Sequence, residues 1–361
     1  MLISSARSSS QPSAPNVVSA VTPGVQRLWL HGPIVDNALG WCWLPIAVSL
    51  HLLESRPLAL RTVIGVVFLV SFAHQPLTLG LVYGDPAQRR AKRGLYTIAP
   101  FAAAAAVLIG VNVSLTLVAL IAGLWNAEHT LMQRYGVMRI YGRKAGDMNG
   151  GLEKPMLIAW LVTALTFLGG FVDLQGLLVK INMGGTNADS VRLLDRVSSV
   201  ADVLFWPSLV VSAALAVRWI RAERASGRSI GTAKDWYVAA TFGLVLAVMI
   251  DPIAGIFGYV AAHSIEYFGI VHSSLRRRAA TGDTSPVARS TSTAPRRALV
   301  YAVYAAAIIS VMYVTLEFWG GSVYAFSVLY FGALHILYDG FVWKLRKPAT
   351  AASLGISSPV I

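Results

Sequence analysis

Seven histidines are spread through this chain of 361 residues, and five of them fall inside long apolar runs: His74, His129, His263, His272 and His335. Neutral imidazole is a common metal ligand, and a mixed histidine and carboxylate set with open positions is typical of non-haem iron. Ionisable groups inside apolar spans are costly, so each is a candidate for function. Residues three and four apart share a helix face. His335 therefore shares a face with Asp339 in F-G-A-L-H-I-L-Y-D-G-F-V-W-K, and His263 with Glu266 in A-A-H-S-I-E-Y-F-G-I-V-H. His129 shares one with Gln133 and Asn126 in L-W-N-A-E-H-T-L-M-Q-R-Y-G-V. His74 has Thr78 below it, and Gln75-Pro76 mark an expected kink. The expected metal ligands are thus His74, His129, His263, Glu266, His335 and Asp339, with Gln133 and Asn126 orienting them from behind. His272 falls about 180° from His263 on a straight helix and joins the set only if Gly269 allows a bend.

The elements that must position these residues follow from composition. Hydrophobic residues make up 55% of the chain and charged residues 13%. Soluble domains carry roughly 25% charged residues, so this chain lacks the polar surface for water. Its one cysteine, Cys42, excludes an internal disulfide framework. The expected fold is all-α, a polytopic transmembrane bundle of about ten spans, with eight to ten compatible with the pattern. The spans are placed near 34–53, 58–83, 95–112, 114–133, 155–179, 197–217, 236–253, 256–275, 298–319 and 322–343. The third and fourth are almost continuous, and only Asp251-Pro252 divides the seventh from the eighth. Residues 1–25 read as a disordered tail, 26–278 as spans one to eight, 279–296 as a flexible linker, 297–347 as spans nine and ten, and 348–361 as a second disordered tail.

Charge supports this map. The net charge is +13. With both termini cytoplasmic, 25 of the 30 basic residues fall on the cytoplasmic side, as the positive-inside rule requires. The basic excess therefore orients the bundle, and nucleic acid is not needed to explain it. A multi-pass protein of the plasma membrane is expected. Arg134, Arg139 and Arg143, after the fourth span, are candidates for contact with anionic head groups.

Depths can be compared at 1.5 Å per residue. His74 lies about 14 Å before the helix end near Tyr83, His335 about 14 Å from Lys344, His129 about 7 Å from Arg134 and His263 about 20 Å from Arg276. All four are in the same half of the bilayer on helices running in the same direction.

The segment Phe268-Gly269-Ile270-Val271-His272-Ser273-Ser274-Leu275-Arg276 resembles the histidine-bearing helix end of bacterial membrane β-carotene dioxygenases of the Brp/Blh type. The likeness covers nine residues. It implies an all-helical, membrane-embedded, iron-dependent enzyme performing oxidative chemistry on a long apolar molecule, with His272 in the matched position. The H-x-x-H-H boxes of desaturases and the H-E-x-x-H of zinc proteases are absent.

The function expected from these residues is a membrane non-haem iron oxygenase or hydroxylase, with one iron or two, acting on a lipid, carotenoid or other isoprenoid and served by an electron donor. Two alternatives use the same residues. Facing imidazoles could ligate haem in an electron carrier, or the histidines and acids could form a relay in a transporter or lipid-binding protein. A purely structural polar network is the non-functional reading.

Overall fold

The computed structural model describes residues 29–147, 150–180, 188–226 and 232–356. The expected disordered tail at 1–25 lies outside them. Among the described residues every regular element is helical: α1 (Pro33–Trp41), α2 (Trp43–Leu52), α3 (Pro57–Tyr83), α4 (Pro86–Ala91), α5 (Arg93–Val113), α6 (Leu115–Lys144), α7 (Glu153–Phe171) and α8 (Leu174–Lys180). They continue as α9 (Ala188–Ala225), α10 (Ala233–Ile250), α11 (Pro252–Ala280), α12 (Pro286–Ser290), α13 (Ala294–Val314), a π-helical turn (Thr315–Trp319), α14 (Gly320–Val342) and α15 (Pro348–Ser353).

Among the described residues ten segments are long and apolar enough to cross a membrane, with α1 and α2 together forming the first. Both uncertain boundaries are real breaks. Ser114 is extended, and its hydroxyl accepts from Leu117 N at 3.3 Å, starting α6 afresh. Asp251 does the same for α11, accepting from Ala254 N at 3.0 Å, with Pro252 at the first helical position. These are N-cap arrangements, which satisfy the free amides of a new helix. Pro76, by contrast, sits inside a continuous α3.

The most buried span is α11. It packs on α2, α3 and α10, while α14 lies along α3, α5 and α6. Large apolar side chains such as Ile98, Phe101, Val113 and Val203 are exposed on the outside of α5 and α9 or at their ends, a surface suited to hydrocarbon. The second, fourth, eighth and tenth spans (α3, α6, α11 and α14) meet at the centre. They run in the same direction, because contacts advance together along each pair: His74 and Thr78 meet His335 and Asp339 and also His263 and Tyr267, and His129 and Arg143 meet His335 and Leu345.

Two segments expected as a flexible linker and a tail hold short helices. Residues 279–296, the expected flexible linker, pack against the bundle. They include the end of α11 and the short α12, whose Ala288 is buried along with Thr291. Arg278 pins the segment, donating to Asp283 at 2.5 Å, to Asp85 at 2.6 Å and to Ser285 at 3.1 Å. Over residues 348–356, α15 folds under the bundle against α11, and Ala351, Leu354 and Ile356 join a core with Leu131, Val137 and Trp219. Apolar area removed from water outweighs the ordering of so short a piece. Residues 357–361 lie outside the described chain.

Candidate metal centre

Each imidazole arrives from a different span: His74 from α3, His129 from α6, His263 from α11 and His335 from α14. All four are buried. His335 Nε2 lies 3.2 Å from His74 Nε2 and 3.1 Å from His129 Nε2. The His263 ring stands edge-on to His74 at 4.6 Å between centroids and to His129 at 5.0 Å. Asp339 Oδ2 completes the group, 3.7 Å from His335 Nε2 and 3.9 Å from His129 Nε2. Two overlapping sets with ligand-like spacing result, His74–His263–His335 and His129–His335–Asp339. They share His335, so they describe a single centre.

The residue four positions after each histidine recurs around the imidazoles, three of them behind the rings and the fourth, Asp339, within the group itself. Thr78, Gln133, Tyr267 and Asp339 fall one turn toward the basic end of their helices. The Thr78 hydroxyl donates to Asp339 Oδ1 at 3.1 Å and sits 2.7 Å from His335 Nδ1. Tyr267 OH donates to the same Oδ1 at 3.0 Å and in turn accepts from Trp343 Nε1 at 3.5 Å. The Thr78 hydroxyl also stands 2.5 Å from Tyr267 OH, and with its one proton given to Asp339 or to Tyr267 its oxygen accepts from His335 Nδ1. The network thereby assigns His335 the tautomer with a free lone pair on Nε2, facing His74 and His129. Gln133 Nε2 donates to the His263 carbonyl at 2.9 Å. Thr78 was visible in the sequence as the neighbour of His74, but Tyr267 was passed over for Glu266, one residue earlier. The recurring four-residue step after each histidine was the signal for it.

Glu266 lies outside the histidine group. Its Oε1 accepts from Arg134 at 2.6 Å and its Oε2 from Tyr237 OH at 2.8 Å. The three-residue step turns Glu266 to the other side of His263, toward α10. Arg134 is correspondingly buried rather than turned to head groups; it also donates to Thr241 at 3.0 Å and to the Gly40 carbonyl at 3.2 Å. Arg139 too is internal, donating to Asp147 at 3.3 Å and Glu153 at 3.1 Å. The reason is that α6 continues to Lys144, so Arg134 does not mark the membrane edge. Arg143 alone of the three reaches the rim, where it donates to the Leu345 carbonyl at 3.0 Å. Asn126 is half-buried. His272 faces Tyr301, 3.0 Å from its hydroxyl, away from the other histidines, as its phase on an unbent helix requires.

Among the described residues two other groupings have ligand-like spacing. Asp147, Glu153 and Glu223 converge, but the Lys234 ammonium stands among them at 2.8, 2.5 and 2.8 Å. His51, Glu54 and Asp251 lie at the opposite end of the bundle, where His51 and Glu54 are exposed.

The histidine group fits a transition metal. Tetrahedral nitrogen ligands about 2.0–2.1 Å from an ion lie about 3.3 Å from one another, close to the separations here. Both ring nitrogens of His263 and Nδ1 of His74 are buried without a hydrogen-bond partner. A buried polar atom left unsatisfied costs about 1–3 kcal/mol, and an ion at the focus would remove the penalty for those that face it. Imidazole with carboxylate is also the donor set of zinc and iron. A cavity of about 730 Å³ opens onto His129 and Asp339 between α6 and α14. The centre is therefore buried yet reachable. Comparison of the chain with protein-family models, with curated proteins and with solved structures finds no match.

Proposed function

We propose that the chain is an integral-membrane non-haem iron protein, an oxygenase or hydroxylase acting on a hydrophobic substrate such as a lipid, carotenoid or other isoprenoid, and drawing electrons from a separate donor. The plasma membrane is the proposed location. One observation carries the reading: four imidazoles and a carboxylate from four spans converge on a buried point, with His335 Nε2 3.1 and 3.2 Å from two neighbours. Iron bound there would supply redox chemistry toward dioxygen.

The rest is work for the chain itself. His74, His129, His263, His335 and Asp339 would hold the ion. Thr78 fixes the His335 tautomer through Nδ1, and Tyr267 holds Asp339 Oδ1, so that Oδ2 is left facing the imidazoles. The Tyr267 hydroxyl can pass a proton to Asp339 Oδ1 and regain one along the cavity it lines. The surrounding apolar helices limit water, and the cavity offers an apolar molecule a lateral way in. Haem fits this spacing poorly, because ring centroids 4.5 to 4.9 Å apart leave no slot for a macrocycle between adjacent imidazoles.

Metal analysis of protein purified in detergent tests the proposal. At least one iron per chain is expected, lost in His129→Ala and His335→Ala proteins that remain monodisperse and helical. Iron far below one per chain and insensitive to those substitutions overturns the reading, and a Soret band would point to haem instead. Chelation should also lower the unfolding temperature, since an ion bound only to the native state stabilises it.

A further inference from the structure

The cavity beside the metal centre is polarised along its length. At one end Arg143, Lys154, Lys344 and Arg346 line it. Among the described residues none of the four forms an ion pair, whereas the buried Arg134, Arg139 and Lys234 are each matched by acids. Arg143 is held by its contact to the Leu345 carbonyl, and its buried Nε has no partner. The Lys344 ammonium lies over the Phe341 ring at 4.6 Å. Like charge has accumulated here without compensation: outside the spans, burial and then the neighbouring Lys344, Lys92 and Arg346 hold the Lys347 ammonium below the usual lysine range.

Beyond that rim the wall turns apolar. Met132, Ile140 and Ile336 line the middle stretch, and the cavity continues past His129 to Trp125. Arg143 and Trp125 are 18 residues apart on one continuous helix, about 27 Å at the helical rise. Gly136 of α6 and Gly340 of α14 also line this stretch, and a Cβ on either would meet nothing within 4 Å. These two glycines leave the groove open to a chain-like occupant. Glu128 and Asp339, the acids on the wall, lie toward the far end and at the metal centre.

Resting on the metal-centre reading above, we propose that the substrate is a membrane amphiphile with an anionic head group, phosphate or carboxylate. Its head is bound by Arg143, Lys154, Lys344 and Arg346, and its apolar chain runs between α6 and α14 past His129 and Asp339. Guanidinium and ammonium groups match a phosphate or carboxylate by charge-assisted hydrogen bonds. The apolar groove matches the chain by area, and the two ends set its direction. The head group would thereby fix which part of the chain reaches the metal ligands.

Binding can be read without turnover. The full-length protein in zwitterionic nanodiscs would be titrated with phosphatidic acid carrying a brominated acyl chain, which quenches nearby tryptophans; Trp125 and Trp343 line the groove. Brominated phosphatidylcholine is the neutral-head comparison. Tighter binding of the anionic lipid is expected, with the preference falling by about ten-fold or more in a Lys154→Gln/Arg346→Gln protein, as two charges near an anionic head group warrant. Gly340→Leu, which points into open space and improves helix propensity, should abolish quenching for either lipid while the iron content stays unchanged. Equal affinity for the two lipids, or an unchanged preference in the double variant, overturns the proposal. So does full displacement by millimolar inorganic phosphate, which would assign the cations to a free anion. Selective lipid binding by a protein without iron would uphold the amphiphile site while the oxygenase reading fails, so the two stand or fall separately.

Discussion

Thr78 Oγ1 stands 2.7 Å from His335 Nδ1 and 3.1 Å from Asp339 Oδ1, so one hydroxyl on α3 joins an imidazole and a carboxylate of α14. It sets the tautomer of His335 and restrains Asp339 at once. Groups that orient ligands from behind in this way typically contribute 10- to 100-fold in metal affinity.

Replacing that hydroxyl tests the linkage. Thr78→Val keeps the side-chain volume but removes the acceptor for His335 and the donor to Asp339. Affinity for the proposed iron, measured by competition with a calibrated chelator, is expected to fall by about 10- to 100-fold with the fold retained, and Thr78→Ser should restore most of it. An unchanged affinity in the valine variant would mean that the hydroxyl does not orient the centre.

The Arg134–Glu266 pair makes a different prediction. Both groups are buried, and the pair with Tyr237, Thr241 and the Gly40 carbonyl ties together α1, α6, α10 and α11. Breaking a buried pair by removing one partner costs about 3–5 kcal/mol, because it strands the other charge. Arg134→Met should therefore lower unfolding stability in detergent severely, and Arg134→Met/Glu266→Met should recover a large part of the loss. A double variant as unstable as the single would place the defect in packing rather than in the stranded charge.

Acid should release the segment after α11. Asp283 lies outside the spans. Burial disfavours its charge, but the Ser285 amide at 2.8 Å and the Arg278 guanidinium at 2.5 Å outweigh that and hold its carboxyl below the usual aspartate range. A carboxyl lowered in the folded state contributes stability above its unfolded pKa and loses it as the pH falls through the folded value. Limited proteolysis with an acid-active protease should find residues 281–293 protected at mildly acidic pH and cut once the carboxyl is protonated. Asp283→Asn should be cut at both. Equal protection of the variant and the parent would show that the carboxylate does not pin the segment.

Much of this was legible in the sequence. About ten spans, with eight to ten compatible, followed from apolar run length, since a bilayer core demands about 20 such residues per helix wherever the helix packs. The four histidines stood out because a bilayer penalises each one, and their shared depth followed from helical rise. Asp339 was found by its four-residue step from His335, and the isolation of His272 by its half-turn from His263. Where residues were misplaced, the missing quantity was rotation about a helix axis relative to neighbours. Glu266 and Tyr267 are adjacent on α11 and both flank His263, yet one faces Arg134 of α6 and the other Thr78 of α3 and Asp339 of α14. Only packing chooses between them. Arg134 likewise looks like a membrane-edge cation until α6 is seen to run on to Lys144 with Glu266 waiting beside it. The sequence by itself determined that about ten apolar helices follow one another, in what order, and which scarce polar groups they carry, because length and hydropathy act locally; the breaks at Ser114 and Asp251 that fix the count came from the structure. Tertiary structure alone decided which of those groups meet, because contact across four helices depends on their mutual rotation and tilt, which no single helix encodes.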